Sequence, residues 1–543
     1  MCEVVRSNFE EKFPEIEQTL KEATFIAVDA EFSGGISNAV QSSKPSLFDS
    51  ASERYAKLLR NLDGCIIIQM GLTAFRFHRD ENKYVASTYN FYVFPKPFAS
   101  VDMKFVMQSS SVEFLCLHGF DFNKPMHEGV GYLSRPQAER LRAELGRGPL
   151  TQHVERALSL EEERAVQHWC SRVCEWQDSA VLGDRLELRA GDRDAYLPYL
   201  LHRELRARFR GVWTFPDAGQ VLVVKVSESE RERLEEQERR ENTLDRQFLQ
   251  SALGFSKVFG LLADLKKPLV GHNLLLDLMF MYSQFHEPLP AQYLKFKKKI
   301  SELFPTVFDT KYVSFELMKE LRKEDKWVSN ILEEMYTYFK EARGREIVMY
   351  SPLVESTNGF HSSDVKKKFH EAGWDSYCTG FCFVKMMHII ASISHSRHGF
   401  PRALTSSEHL AAVARMKGCV NMIRASVSHV CLLGDDPPSR RPRLLHVAAK
   451  GPRVISSLEL AALFAAFGAV DVKLCSKRRA LVAVGTHRIA RDALSSFKGH
   501  KELDVSLYSP LRHSLLVRGL LWIGLVTSLA GCSWLVMRSL NKN

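Results

Sequence analysis

The sequence lacks the marks of secreted, disordered and multi-span membrane proteins. None of its 11 cysteines forms a Cys-x-x-Cys pair, whereas structural zinc usually needs two close cysteine or histidine pairs. The N-terminal residues contain no apolar signal-peptide stretch, and the sequence has neither internal repeats nor long low-complexity tracts. Hydrophobic residues make up 45% and charged residues 25% of the chain, as in ordinary globular proteins. We therefore expect a folded chain with reduced thiols in a reducing compartment.

Length and charge limit the number of domains and the class of partner. At about 150 residues per domain, the 543-residue chain corresponds to about three to four domains. Lysine and arginine number 74 against 64 aspartates and glutamates, so the net charge is +10. This surplus favours a polyanionic partner, either nucleic acid or an anionic membrane surface. Charge alone leaves a mildly basic protein without such a partner equally open.

The C-terminal segment is uncharged and apolar over the nineteen residues 519–537, between Arg518 and Arg538. As a helix it would be about 28 Å long, close to the ~30 Å hydrocarbon core of a bilayer. The alternative is a buried core helix, but a helix that is apolar on all sides at the chain end suits a core poorly. We expect a single-pass tail anchor that leaves the rest of the chain in the cytosol. Its membrane would be the endoplasmic reticulum or the mitochondrial outer membrane.

The remaining sequence predicts a mixed α/β architecture. Strand-like runs at residues 24–32, 65–77 and 85–94 suggest an early meander in a mixed sheet. An Arg-rich region of helical pieces, an extended run at residues 221–226 and a charged helix interrupts this pattern. A βαββαβ order follows a Pro- and Arg-bearing linker. The expected units are a nuclease-like domain in two parts (1–148 and 246–433), an inserted helical region (149–245), a βαββαβ unit (434–510) and the anchor (519–537).

Two carboxylates on the first long strand indicate a metal site. Asp29 and Glu31 are two residues apart, so their side chains project from the same face of the strand. Carboxylates this close repel one another unless a cation lies between them. Oxygen ligands of this kind suit Mg²⁺ or Mn²⁺. A chance pair at an exposed strand end is the alternative, although the rest of this strand is apolar.

Three further residues extend the candidate site. Asn273 is positioned as a helix N-cap, which places Asp277 in the first or second turn of that helix. His370 and Asp375 are five residues apart, roughly 140° from a shared helical face. Gly373 between them indicates that His370 lies in a loop while Asp375 begins a helix. Such a histidine can reach a water molecule on the opposite side of the metal.

Five segments follow one another along the chain: VDAEFSG, SSSVEFLCLHGFDFNK, GHNLLLD, FPTVFDTKY and FHEAGWDSYCTG. In order and spacing they resemble the motifs of the poly(A)-specific ribonuclease family, a group of histidine-bearing DEDD 3′→5′ exonucleases. The resemblance covers residues 1 to about 400. With the apolar C-terminus added, the chain is most similar to the membrane-anchored branch of the family, which is associated with trimming piRNA 3′ ends.

The resemblance implies an RNase H-like DEDD fold with a nucleic-acid-binding-like insert and an RRM-like C-terminal unit. It implies that Asp29, Glu31, Asp277 and Asp375 bind two divalent ions, Mg²⁺ with Mn²⁺ as the alternative, and that His370 is the general base. The substrate would be single-stranded RNA with a 3′ tail, either poly(A) or a pre-piRNA extension. Each cleavage would release a nucleoside 5′-monophosphate. Candidate RNA contacts are Phe32, Ser110, Phe114, Lys295 and Lys297, although Phe32 is equally suited to the core and the lysines to a solvated surface.

Two modules depart from the family pattern. His202 takes the histidine position of the insert's expected Arg-x-x-x-His signature, but Pro198 stands where the arginine should be. In the RRM-like unit Arg479 and Leu481 stand where stacking aromatics are expected, which favours packing or dimerisation. A homodimer and a scaffold or adaptor protein on the same membrane are candidate partners. The alternative functions are a membrane-tethered RNA-binding adaptor with an inactive nuclease fold and, less well matched, a DNA proofreading exonuclease.

Overall fold

The computed structural model describes residues 1–35, 44–97, 101–145, 160–188, 196–217, 220–321, 326–327, 329–341, 344, 347–357, 369–396 and 401–540. Contacts divide the chain into two compact units. The first comprises Met1–Ser43, Leu58–Asn421 and Cys431–Asp435, and the second comprises Lys44–Lys57, Met422–Val430 and Asp436–Asn543.

The strands are β1 (Cys2–Val4), β2 (Phe25–Phe32), β3 (Ile67–His78), β4 (Lys83–Tyr92), β5 (Arg185–Leu188), β6 (Val212–Asp217), β7 (Gln220–Lys225), β8 (Leu269–Gly271), β9 (Val307–Asp309), β10 (Leu353–Ser356), β11 (Cys419–Asn421), β12 (His429–Cys431), β13 (Leu445–Ala449), β14 (Val470–Ser476), β15 (Arg479–Val484) and β16 (Leu503–Leu507).

The helices are α1 (Arg6–Glu22), α2 (Ala51–Asn61), α3 (Ser109–Leu117), α4 (Arg135–Leu145), α5 (Leu160–Ser179), α6 (Tyr196–Arg208), α7 (Glu228–Glu241), α8 (Thr243–Leu253), α9 (Phe255–Leu265), α10 (Leu275–Phe285), α11 (Tyr293–Leu303), α12 (Thr310–Glu320), α13 (Leu332–Lys340), α14 (Ala372–Ser396), α15 (Ser406–Ala412), α16 (Ser457–Ala465), α17 (His487–Ser496), α18 (Pro510–His513) and α19 (Leu515–Leu540).

The first unit is built on a mixed sheet that contains seven of the described strands. Its order is β1–β4–β3–β2–β8–β9, and β10 also pairs with β4. Strands β2, β3 and β4 form an antiparallel meander, whereas β8 runs parallel to β2 and β9 parallel to β8. The mixed α/β class expected from the sequence is confirmed. The carboxylate-bearing strand β2 is therefore an interior strand of the sheet.

The long helix α14 packs across this sheet. Its Phe383 meets Phe25 of β2 edge to face at 5.2 Å, and Phe25 stacks on Phe75 of β3 at 4.7 Å. All three rings are fully buried, and each such ring contributes about 1.5–3 kcal/mol of burial free energy. The segment Ala372–His395 is long and apolar enough to cross a membrane, but 89% of its most apolar stretch is buried within the protein. We interpret α14 as a core helix.

The inserted region contains the extended run predicted at residues 221–226, observed as β7, and two strands, β5 and β6, that the sequence did not predict. Beside α5 and α6 it contains an antiparallel sheet of order β5–β7–β6. In β7, Val221 and Val223 are fully buried while Leu222 between them is partly exposed. This period-two alternation is the pattern of a half-buried strand. Residues 149–159, 189–195 and 218–219 of the expected insert lie outside the described residues.

The second unit contains a four-stranded antiparallel sheet of order β14–β15–β13–β16. Leu460 and Phe464 of α16 and Ala493 of α17 join the core on one face of this sheet. The final helix, α19, contains the apolar stretch Gly519–Leu535. Its side chains are largely exposed, including Trp522 at 63% and Trp534 at 58%.

Candidate active site

Strand β2 supplies two neighbouring acidic side chains. Asp29 lies opposite Gly71 of β3, and Glu31 lies opposite Gln69. The residues before them are buried, whereas Asp29 and Glu31 are partly exposed. Since both side chains leave the same face of the strand, they share one side of the sheet. The prediction that they are neighbours on one face is confirmed.

Helix α10 supplies the third carboxylate, and hydrogen bonds to a distant carboxylate hold the loop before this helix. Asp277 lies in the first turn of α10 and is 7% exposed. The N-cap is Leu274 rather than Asn273, and Asn273 has a left-handed backbone with φ of 62°. The buried carboxylate of Asp309 accepts the N–H groups of Asn273 at 2.9 Å and Leu274 at 3.1 Å. The N-cap expectation for Asn273 is wrong because a distant carboxylate satisfies this loop.

Asp309 accepts two more backbone N–H groups. It is the N-cap of α12 and accepts from Lys311 at 2.9 Å, and it accepts from Asn421 of β11 at 2.9 Å. The side-chain Nδ2 of Asn421 also donates to Asn273 Oδ1 at 2.9 Å. Burial raises the pKa of Asp309, and the backbone N–H groups oppose this rise. Asp309 thus supports the loop that presents Asp277 and is not itself one of the converging acids.

Helix α14 and the loop before it supply the remaining two residues. Asp375 lies in the first turn of α14, and His370 precedes the helix with a φ of 70°. This left-handed conformation is unusual for a non-glycine residue and typical of functional sites. The His370 N–H donates to Asp375 Oδ2 at 3.1 Å. Candidate ligand atoms of Glu31, His370 and Asp375 lie within 4.8 Å of one another.

The electrostatics of the cluster fit a bound cation. Burial, followed by repulsion from the other acids, raises the pKa values of Asp29 and Glu31 well above their usual range. Burial also raises the pKa values of Asp277 and Asp375. The Oδ1 atom of Asp375 is buried and has no hydrogen-bond partner among the residues that the structure describes. Divalent cations prefer such an arrangement of oxygen atoms, so these residues fit the expected metal ions.

His370 lies in an aromatic environment at the edge of the cluster. Its ring is 3.9 Å from the ring of His118 and 4.8 Å from that of Phe114, centre to centre. Burial lowers the pKa of His370, and the neighbouring His118 lowers it further. The imidazole is therefore mainly neutral at neutral pH, as a general base requires. The structure thus brings together the five residues predicted as catalytic.

Of the five predicted RNA contacts, two are buried and three are exposed. Phe32 is 7% exposed and its ring stacks on Phe280 at 4.3 Å. Phe114 is 41% exposed beside His370, and Ser110 is exposed on the same helix, α3. Lys295 is exposed on α11. Lys297 on that helix is buried, with Nζ donating to the Gly434 carbonyl at 2.8 Å, so its ammonium group points into the protein.

Sequence reasoning missed His118 as a neighbour of the proposed base. It lies at the C-cap of α3, in a segment recognised only as a family block. A lone histidine at that position carries no periodic or spacing signal. Only the fold brings it against a loop 252 residues further along the chain, where its ring meets that of His370.

The fold and the acidic cluster define a mixed α/β nuclease, and comparisons with known proteins identify the family. The CAF1 family ribonuclease model matches residues 4–383. The chain is 35% identical to the pre-piRNA 3′-exonuclease trimmer of Bombyx mori over 530 residues, which cover 97% of each chain. It is 31% identical to the poly(A)-specific ribonuclease PNLDC1 of Mus musculus over 99% of each chain. It is 29% identical to the Homo sapiens poly(A)-specific ribonuclease PARN over 93% of this chain and 80% of PARN. The chain belongs to the CAF1 family of ribonucleases and is a 3′→5′ exoribonuclease.

Proposed function

We propose that the protein is a metal-dependent exoribonuclease that shortens single-stranded RNA from its 3′ end. The observation that carries this proposal is the convergence of Asp29, Glu31, Asp277 and Asp375 from three separate elements, with raised pKa values and an unpartnered buried oxygen on Asp375. Four carboxylates at one place are unfavourable without a counter-charge. An inactive adaptor would have no need for such an arrangement.

Each residue then has a defined task. The four carboxylates hold two divalent ions, Mg²⁺ or Mn²⁺, which when bound supply Lewis-acid stabilisation of the phosphate and lower the pKa of water. His370, neutral at its lowered pKa, accepts the proton of the water that attacks the terminal phosphodiester. The bond to the 3′ oxygen of the preceding nucleotide breaks. A nucleoside 5′-monophosphate leaves, and the shortened RNA carries a new 3′-hydroxyl group.

The RNA enters, in our proposal, over the exposed face of α3. Ser110 and Phe114 lie on that helix, and Phe114 contacts the ring of His370 at 4.8 Å. Phe32 borders the same strand end as Glu31, and Lys295 is a candidate phosphate contact at the surface. The buried ammonium of Lys297 suits this role less well, because it already bonds the Gly434 carbonyl.

The names of the relatives support a proposal for the substrate class. Proteins 35% and 31% identical over nearly the full chain bear the names of a pre-piRNA 3′-exonuclease trimmer and a poly(A)-specific ribonuclease. We propose that pre-piRNA 3′ extensions, poly(A) tails or both are the substrates. RNA ending in a 2′-O-methyl nucleotide should resist degradation, because a pocket fitted to free hydroxyls loses a hydrogen-bond donor and gains a clash. Equal rates on methylated and free ends would contradict this pocket.

The nuclease proposal is tested by incubating purified protein with end-labelled RNA and DNA of the same sequence. Mg²⁺ or Mn²⁺ should support release of 5′-monophosphates from the 3′ end of RNA, and EDTA should stop it. Asp375→Asn should be inactive, whereas Asp245→Asn should remain active. Asp245 is a matched control, since it is a buried carboxylate that bonds Tyr199 and Arg203 in the insert. Activity in EDTA would refute the metal-dependent mechanism.

We also propose that residues 519–537 form a tail anchor in the endoplasmic reticulum or mitochondrial outer membrane. The apolar helix Gly519–Leu535 exposes Leu520, Trp522 and Trp534, which suits contact with lipid. Full-length protein should resist carbonate extraction from membranes, and a chain ending at residue 518 should be soluble and active. Retention of the shortened chain in the pellet would refute the anchor.

The RRM-like unit at 434–510 is proposed for packing or dimerisation. His446, on its central strand β13, stacks at 4.2 Å against His513 of α18, so this ring is already engaged within the second unit. A homodimer, and a scaffold or adaptor protein on the same membrane, are the partners we propose. Sedimentation of the chain ending at residue 518 tests the dimer.

A further inference from the structure

The first turn of α14 is capped by side chains from the sheet rather than by its own sequence. The first N–H groups of a helix have no partner within the helix. Here the Ala372 N–H donates to Gln69 Oε1 at 2.9 Å, and the Gly373 N–H donates to Asn90 Oδ1 at 3.0 Å. Gln69 is 1% and Asn90 0% exposed. Two buried amides on β3 and β4 therefore fix the start of the helix that carries Asp375.

These capping residues lie in the same cross-strand rows as the acids of β2. Gln69 pairs with Glu31 on one side and with Tyr92 on the other. Directly opposite residues on neighbouring strands project from the same face of a sheet. The amide of Gln69 thus joins the strand position opposite Glu31 to the helix that bears Asp375.

The next row makes the second connection. Gly71 pairs with both Asp29 and Asn90. A Cβ atom on Gly71 would lie 1.9 Å from the Ala372 carbonyl oxygen, so only glycine allows the helix to approach this closely. Asn90, the residue of β4 that pairs with Gly71, accepts the Gly373 N–H at this point of close approach. These contacts therefore hold the start of α14 at a short, defined distance from strand β2, which carries Asp29 and Glu31.

Asn90 also reaches the loop of the proposed base. Its Nδ2 donates to Glu371 Oε1 at 3.1 Å, and Glu371 directly follows His370 in the chain. One amide therefore bonds both the first helical turn and the loop residue next to His370. This second bond matters because the left-handed backbone of His370, with a φ of 70°, needs support from its surroundings.

We propose that Gln69 and Asn90 are positioning residues that set the distance of Asp375 and His370 from the acids of β2. Neither amide reaches the substrate in this role; each acts through the backbone at the start of α14. The inference rests on the proposed roles of Asp375 and His370. An amide suits this task better than a carboxylate, because it accepts from the helix N–H without adding a fifth negative charge.

The test uses variants that remove the acceptor and keep the volume, Gln69→Met and Asn90→Leu, in the full-length protein. Thr73→Val is the matched control: the Thr73 hydroxyl bonds Ser376 in the same helix at 2.7 Å, at a point beyond the helix start. Thermal unfolding shows which variants are folded, and if Asn90→Leu is not, Gln69→Met carries the test.

Two measurements separate positioning from simple destabilisation. Electron paramagnetic resonance of free Mn²⁺ gives metal affinity, and RNA hydrolysis gives kcat and KM. Metal affinity and kcat should each fall by about 10- to 100-fold in the capping variants, with KM unchanged, while Thr73→Val keeps wild-type values. Capping variants that match Thr73→Val in Mn²⁺ affinity and kcat would overturn the inference. An Asp375→Ala variant with full activity would instead overturn the proposed function beneath it.

Discussion

Replacing Asp309 by asparagine should destabilise the nuclease unit and weaken its catalysis together. The carboxylate is completely buried and accepts four backbone N–H groups. Oδ1 accepts from Asn273 and Lys311, and Oδ2 accepts from Leu274 and Asn421. Asparagine has the same shape, but its amide nitrogen would face two donors. The substitution therefore removes two hydrogen bonds without opening a cavity.

The magnitude follows from these contacts. A hydrogen bond to a charged group contributes about 1.5–3 kcal/mol, so two lost bonds cost about 3–6 kcal/mol. Part of this cost is offset, because burial raises the pKa of Asp309 and the neutral amide avoids the desolvation that causes the rise. We expect a net loss of about 2–4 kcal/mol in the free energy of unfolding. The freed loop would let Asp277 drift from its place, so kcat should fall as well.

Urea unfolding in EDTA, followed by tryptophan fluorescence, measures the stability of Asp309→Asn, and RNA hydrolysis at saturating Mg²⁺ measures its kcat. Asp245→Asn is the control, since Asp245 is also buried but bonds side chains in the insert. It should lose stability and keep its kcat. If Asp309→Asn lost less than about 1 kcal/mol, or lost stability with kcat intact, the support assigned to Asp309 would be refuted.

Three further predictions concern the cluster itself. The first concerns single alanine substitutions of the four acids, Asp29, Glu31, Asp277 and Asp375. Each should lower kcat by more than the roughly 10- to 100-fold typical of residues that only support a ligand, and each should leave the thermal stability of the metal-free protein equal or higher. A variant with unimpaired hydrolysis would show that the substituted residue is not part of the metal site. His370→Ala should lower kcat by roughly 10²- to 10⁴-fold while Mn²⁺ affinity stays near wild type, and wild-type activity should rise with pH through the lowered pKa of His370; lost Mn²⁺ binding would make this residue a ligand instead. In metal-free buffer, the urea midpoint of the wild type should fall relative to that of Asp375→Asn as pH rises from ~4 through the raised pKa values of the acids, because the folded wild type then holds more protons on these acids than its unfolded state does. Mg²⁺ should reverse this relative fall, and a relative rise with pH would contradict this account.

The central strands were predictable because their signal is local. The runs expected at residues 24–32, 65–77 and 85–94 lie within three residues of the observed strand ends. Alternation along β2 also correctly placed Asp29 and Glu31 on one face. Helix α1 begins at Arg6 and continues through Pro14, although proline favours the first turn of a helix over its interior. Packing of Phe9, Ile16 and Leu20 outweighs the local preference of proline.

Contacts between distant segments explain the errors. Asn273 has the residue type and position of an N-cap, yet Asp309, 36 residues away, accepts its N–H group. Lys297 belongs to a basic run that would suit a solvated surface, yet it is buried and bonds the carbonyl of Gly434, 137 residues away. In both cases a tertiary hydrogen bond decides the role of a side chain whose local sequence predicts another.

The start of α14 has no N-cap residue of the usual type, and this absence is informative. Ser, Thr, Asp and Asn dominate the N-cap position, but Glu371 precedes this 25-residue helix. Buried N–H groups nearly always have a hydrogen-bond acceptor. Without a local cap, the first N–H groups of α14 therefore need acceptors from elsewhere in the fold. Gln69 and Asn90 meet that requirement from two strands. A local cap would have stabilised α14 equally well, but it would not have tied the helix to the strand rows of Glu31 and Asp29. The uncapped sequence is therefore consistent with a helix whose position, and not only its stability, is set by the sheet beneath it.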